Sequence, residues 1–335
     1  MMKVLLILIF FIAPVIGNSK SIEKYYLITF KAEEYLFHNE FALSCKEYSK
    51  AFKTGFAFYA DLRNAFKAGL LSGNDSYIKK FWAIIIALPE VANSIKNDPT
   101  IIGFCKPSMQ QEILAYRKER QKTDFEKIID SVILIDQKAR RECRNNMTDT
   151  CKIRFKVLDS INLMKLYRLL HKTNYTEREF GYKTQEYIYL IALHARRWGY
   201  KFLDSLLKEN IKKGRMKSVF FAHLISYRSD IDYVNKIYLN NQKSIGFDQM
   251  VWVVNNKVVQ FNRTDSLIDL YNTNRKELFI SKTENDILKH ALITKNKLFA
   301  GCEKDLVVDF FRMEMSDQQF IDFLNNLRSK KMIKE

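Results

Sequence analysis

Glycine and proline are scarce in this chain, 10 and 4 among 335 residues. A β-sandwich or barrel needs turn residues at intervals of about 8 to 12 positions, so the shortage argues against a strand-rich fold and for helices. The glycines do not cluster either. Gly181, Gly199, Gly214 and Gly246 stand alone and read as turns or helix ends rather than as a phosphate-cradling loop. A Gly-x-Ser-x-Gly elbow is absent, as are the lipase, kinase and metalloprotease signatures. Among the histidines His38, His171, His194, His223 and His290, no two lie three or four residues apart, so no helix carries two imidazoles on one face. No cysteine pair has the Cys-x-x-Cys spacing of a zinc or redox site. No metal and no cofactor is therefore expected. Beyond the first residues no apolar run approaches the roughly 20 positions that cross a bilayer, and no membrane span is expected.

What is present begins with an export signal over residues 1–17. Lys3 supplies the positive start, residues 4–11 the apolar run, and Val15-Ile16-Gly17 the small-residue exit, with cleavage before Asn18. No cysteine comes directly after it, so a lipid anchor is not expected, and the mature protein should be periplasmic or secreted. Its cysteines Cys45, Cys105, Cys143, Cys151 and Cys302 would then meet an oxidising compartment. Cys143 and Cys151 flank a polar segment and suit a short closed loop. Cys45 and Cys105 suit a staple of the N-terminal helices, which leaves Cys302 over, though spacing alone does not fix the pairing. The net charge of +17 invites a nucleic-acid reading. The lysines are spread among glutamates, as in Tyr116-Arg117-Lys118-Glu119-Arg120, which reads instead as a solvated basic surface. No nucleic-acid partner is expected; weak attraction to anionic polymers or lipid head groups stays open.

With 47% apolar and 13% aromatic residues, the chain has ample material for a core. Residues 18–122 read as a tetratricopeptide-like helical region. Two helices break near His38-Asn39-Glu40, and about 33 residues later Ala65 and Ala68 precede a Ser72-Gly73-Asn74-Asp75 turn, with Tyr77, Phe81 and Trp82 after it. Such pairs need neighbours to cover their faces, so this region should dock on the rest of the chain. Pro89 and Pro99 punctuate the next segment, and a charged connector helix is expected from residue 109 to about 121. Thr123-Asp124-Phe125-Glu126 is a capping box and marks the domain boundary. Residues 123–285 read as a helical domain with one small β-hairpin near residues 250–262, and residues 286–335 as C-terminal helices and a basic tail. The fold class expected is all-α, mostly helical with that one hairpin.

Several polar residues recur inside the apolar helices of the second region: Asp136-Gln137 with Arg140, Asp159 with Asn162, Phe180-Gly181, and His194-Ala195. A charged helix, a short hairpin and Tyr271-Asn272-Thr273-Asn274-Arg275-Lys276 come next, in that order. The pattern resembles the uncharacterised bacterial family called domain of unknown function 6624, over about residues 124–280. The resemblance implies an exported or envelope protein with helical repeats nearby, and no activity comes with it. The family pattern has an acid directly after its His-Ala, a Tyr-Gly-Thr-Gln segment before the hairpin, and Asp-Arg at the end of the preceding helix. This chain has Arg196, Ile245-Gly246-Phe247-Asp248 and Ser226-Tyr227 there. If those family residues build a reaction centre, this chain has lost it.

His194 is the sharpest catalytic candidate, an imidazole that exchanges protons near neutral pH, with Asp136 or Asp159 to orient it. Arg140, Gln137 and Asn162 are the binding candidates, Arg140 as the fork for an anion. The same residues serve equally as a hydrogen-bonded network locking helices together, and that is the favoured use. The aromatic residues Tyr25, Tyr26, Tyr48, Phe56, Phe58 and Tyr59 suit a peptide groove or, at helical spacing, a core. Two functions fit these residues. The first is a non-catalytic module of the bacterial envelope or exterior that binds a protein or peptide. The alternative is a hydrolase or transferase of unknown substrate, which requires His194, Asp136 and Arg140 to converge at the floor of an open pocket.

Overall fold

The computed structural model describes residues 19–143, 147–172, 177–196, 198–200, 202–218, 251–254, 257–260, 265–277, 279, 285, 288–289, 292, 296–299, 311–313 and 316–329. The expected export signal, Cys302, His223, His290, the family-pattern segments at 226–227 and 245–248, and most of the helix expected after Lys217 lie outside these residues.

The described chain is mostly helical. Helix α1 (Ser19–Phe37) and α2 (Phe41–Ala51) form a hairpin, and Asn39 turns between them at φ 60°, a left-handed position that asparagine tolerates. Helices α3 (Tyr59–Ser72) and α4 (Asp75–Ile85) form the second hairpin, with the Asn74 side chain accepting from the Ser76 amide at 3.0 Å. Then come α5 (Pro89–Lys96), α6 (Pro99–Phe104) and α7 (Pro107–Ala115), each opened by a proline. Proline suits a first helical position because its missing N–H would have no partner there. Helix α8 (Asp124–Glu142) starts at the capping box: Glu126 N–H donates to Thr123 Oγ1 and Thr123 N–H to Glu126 Oε2. Helices α9 (Asp149–Lys172), α10 (Glu177–Arg196) and α11 (Asp204–Lys212) complete the second bundle. Beyond them lie β1 (Val251–Val254), β2 (Lys257–Gln260), α12 (Asp265–Glu277), β3 (Phe311–Met313) and α13 (Asp317–Ser329). Strand β1 pairs antiparallel with β2, Val251 opposite Gln260, and parallel with β3, Trp252 opposite Phe311. No local pattern marks β3, whose three residues owe their strand geometry to pairing with β1.

The connector helix expected over residues 109–121 is shorter than its charge pattern implies. Helix α7 ends at Ala115, and Tyr116 turns extended at ψ 129°. Helix α5 and its neighbours capture the strap beyond it. Tyr116 hydroxyl donates to the Ile86 carbonyl, Lys96 Nζ to the Tyr116 carbonyl at 2.8 Å, and Arg120 pairs with both Glu90 and Glu126. These tertiary bonds override a modest helix propensity.

Among the described residues two large apolar cores result, beside a small cluster of Ala139, Cys143 and Phe155. The first joins α1 to α7 around Tyr25, Leu36, Tyr48, Phe66, Phe81 and Trp82, and it takes in Leu292, Leu298 and Phe299 from far along the chain. Most of the aromatic residues that suit a groove are core: Tyr25, Tyr26, Tyr48 and Phe58 are buried, while Phe56 and Tyr59 pack at its edge. The second core joins α8 to α11 through Ile129, Val132, Leu166, Ile188, Ile191 and Leu207. Phe279 packs against both and stacks on Tyr26 with ring centres 4.9 Å apart.

Cys143 and Cys151 form the disulfide that closes the loop between α8 and α9. The staple between Cys45 and Cys105 is not made. Both are free thiols buried in the first core, and Cys105 donates to the Ile101 carbonyl of its own helical turn. Burial pushes their pKa values up, to about 12 for Cys45 and about 11 for Cys105, so neither is a ready thiolate.

Candidate functional site

The polar residues of the second region come from three helices and meet. Asp136 and Arg140 lie one turn apart on α8, and the guanidinium grips the Asp136 carboxylate from Nε at 3.0 Å and from a terminal nitrogen at 3.1 Å. The same guanidinium reaches across to Asp159 on α9. Gln137 donates its amide to Asp136 at 2.9 Å. From α10, His194 Nδ1 stands 3.1 Å from Asp136 Oδ2, an ion-pair distance at an angle that makes no well-directed hydrogen bond. Trp198, just past α10, donates its indole N–H to Asp159 at 2.7 Å. Arg140 also lies over the Phe155 ring at 4.9 Å.

This cluster is closed. Asp136 and Asp159 are 1% exposed and His194 6%, while the Arg140 side chain keeps 17%. Burial works against the Asp136 carboxylate, but His194 and Arg140 outweigh it and hold its pKa down at about 2. Asp159 runs the other way. Burial and the neighbouring Asp136 charge push its pKa up against the pull of Trp198 and Arg140. Asn162, one turn beyond Asp159, is also buried, and its Nδ2 makes no hydrogen bond among the described residues.

Asp136, Asp159 and His194 bring ligand-type atoms within 4.8 Å of one another. Spacing along one helix could not show this, because each ligand comes from a different helix. The guanidinium of Arg140 already occupies the ground between the two carboxylates, so a cation could bind only by displacing it. The donor set therefore fits an internal ion network better than a metal.

A second buried cluster escaped sequence reasoning. In the first core, Asp61 of α3 accepts from the Tyr25 hydroxyl at 2.6 Å and from Lys217, which lies 156 residues away in sequence. Nearby, Glu33 of α1 faces Lys289 Nζ at 3.7 Å, and Lys67 Nζ lies 5.1 Å from the Phe299 ring centre. Burial and the Asp61 charge raise the Tyr25 pKa, and burial raises that of Glu33 despite Lys289 and Lys217. A signal for Asp61 existed: it shares a helix face with Ala65 and Ala68, an acid among core positions. Nothing local marked Lys217 or Lys289 as its complements.

Two glycines let the halves approach. At Gly181 the backbone is left-handed (φ 76°), which strains any other residue, and a side chain there would also have to push aside the Glu90 carboxylate 1.8 Å away. At Gly214 (φ 68°), past the end of α11, a Cβ would lie 2.5 Å from Phe56 and 2.9 Å from Ile22. That passage delivers Lys217 to Asp61. Arg196, where the family pattern has an acid, is 3% exposed and bound to Asp204 of α11.

Comparison with known proteins finds no match to this chain among family models, curated proteins or solved structures.

Proposed function

We propose that the chain is an exported, non-catalytic module that binds a protein or peptide through its helical surfaces, with α1 to α4 as a tetratricopeptide-like pair of hairpins docked on the second bundle. The observation that supports this is the state of its best catalytic constellation. Asp136, Arg140, Asp159 and His194 are spent on one another in a closed cluster, where a reaction centre needs them open to substrate. The Cys143–Cys151 disulfide is compatible with an oxidising compartment. The resemblance to the domain of unknown function 6624 remains part of this proposal, resting on the order of the polar residues. Export is checked by sequencing the N-terminus of the secreted protein, which should begin at Asn18.

The deciding experiment replaces His194. On this reading His194→Ala takes the imidazole from beside Asp136, leaves a gap in the packed cluster and lowers stability by about 1–3 kcal/mol, read as a drop in melting temperature. A second reading, hydrolase or transferase, draws on the 3.1 Å approach of His194 to Asp136, a carboxylate close enough to orient a base once their bond is well directed. It requires His194→Ala to keep the melting temperature and abolish turnover in a substrate screen, and that result would sink the proposal.

A further inference from the structure

Helix α9 is apolar on two opposite sides. Its inner side places Phe155, Leu163, Leu166 and Leu170 in the protein. On its outer side Ile153, Val157, Ile161 and Met164 are 66%, 55%, 47% and 41% exposed. At about 100° per residue these four fall in one arc of roughly 80°, facing away from the core. Leaving so long an aliphatic stripe in water is costly, and surfaces of this kind mark sites of association. At its C-terminal end the stripe runs into rings. Tyr167 stacks on His171 at 5.8 Å and meets Phe202 edge-on at 5.6 Å, and Phe202 is itself 43% exposed.

The rims of the stripe are basic. Lys156 flanks it on one side and Lys165 and Lys172 on the other, while Arg168 stands within its arc one turn beyond Met164, all exposed. Acids nearby are already engaged, Asp149 with Lys152 and Glu142 with Arg154. This combination discriminates among occupants. A second copy of the same face would set these cations against one another. A dissolved polyanion would satisfy the cations and leave the stripe wet. An anionic bilayer surface takes both, because head groups meet the lysines and arginines while the aliphatic side chains enter the acyl boundary about 5–10 Å deep. The aromatic end suits the same depth, where amphipathic rings collect.

We propose that the outer face of α9 docks the protein flat on an anionic phospholipid bilayer, without crossing it. Docking asks for no rearrangement, since the inner face of the same helix already holds Asp159 in the buried cluster and the disulfide ties its first turn to α8.

The test is co-sedimentation of the mature chain with vesicles of phosphatidylglycerol and phosphatidylcholine, and separately with phosphatidylcholine alone. Binding to the anionic vesicles should exceed binding to the neutral ones by about tenfold or more and weaken as salt is added. Val157→Asp with Ile161→Asp should lower it about tenfold, as should Lys165→Glu with Arg168→Glu, with melting temperatures unchanged because all four positions are exposed. Val157→Ser with Ile161→Ser repeats the first arm should the aspartates disturb the fold. Lys53→Glu with Lys79→Glu makes the same charge change on exposed positions of the first region and should have little effect. Equal loss in that remote pair would reduce the effect to overall basicity and overturn the proposal. So would equal binding to both vesicle types, retention by soluble polyphosphate that ignores the stripe, or a dimer that the aspartate pair dissolves in the absence of lipid.

Discussion

The two buried ion clusters differ in what they join. The first links residues remote in sequence: Lys217 reaches back to Asp61, and Lys289 to Glu33, so two later points of the chain are fastened into the N-terminal helices. The second links three successive helices of one bundle, with Arg140 as the shared cation and His194 and Trp198 closing it. They also differ in access to water. Asp61 and Lys289 are 1% exposed, whereas the Arg140 side chain keeps 17%. A buried ion pair contributes little net stability when intact, yet removing one partner strands a charge in a poor dielectric. The first cluster therefore fastens the fold as a whole, and the second sets how three neighbouring helices meet.

That contrast is best broken at Asp61. Asp61→Asn takes from the buried Lys217 the carboxylate it is bonded to, and a loss of about 3–5 kcal/mol in denaturant unfolding is expected. Adding Lys217→Met should recover part of it, because the buried ammonium is removed together with the carboxylate it was bonded to. Arg140→Met should cost less, about 2 kcal/mol, since its two carboxylates are left facing one another but one can take up a proton. A loss as large as at Asp61 would erase the distinction drawn from solvent access. Cys143→Ser with Cys151→Ser releases a loop of sequence separation 8 and should cost about 2.5 kcal/mol by loop closure, concentrated in α8 and α9. Hydrogen exchange would then quicken in the second bundle and not in the first.

The smallest effect is in acid. The Asp136 pKa lies at about 2 in the fold, below the ordinary value near 3.9, so its contribution is complete above about pH 4 and is lost as pH falls toward 2. Asp159 has the opposite sign. Its pKa is raised, the folded state holds its proton more tightly, and acidification favours the fold at that site. Unfolding measured from pH 5 to pH 2 should therefore show a shallower loss in Asp136→Asn than in the wild type. A steeper loss in the variant would mean that Asp136 is not the carboxylate held ionised.

Much of the local architecture is legible in the chain. The break at Asn39, the capping box at Thr123 and Glu126, the turn at Asn74 and the loop between Cys143 and Cys151 are all where the residues announce them. Asp136 and Arg140, and Asp159 and Asn162, are placed on shared faces by spacing alone. The meeting of those faces with His194 is only one candidate arrangement at that level, and Trp198 carries no signal at all. The staple between Cys45 and Cys105 does not form, because an oxidising compartment and a supply of thiols say nothing about distance.

What the sequence determined by itself is most of the helix starts and breaks among the described residues, because caps, prolines and apolar periodicity act within about four residues of where they stand; the end of α7, set by the bonds of Tyr116 and Arg120, is an exception. What only the tertiary structure decided is which buried charge answers which. Asp61 looks like an error in an apolar face until Lys217 arrives past Gly214, and Glu33 until Lys289 does. Those pairings depend on how whole helices pack, and desolvation makes each charge intolerable without its partner, so neither half of a pair has a meaning that can be read locally.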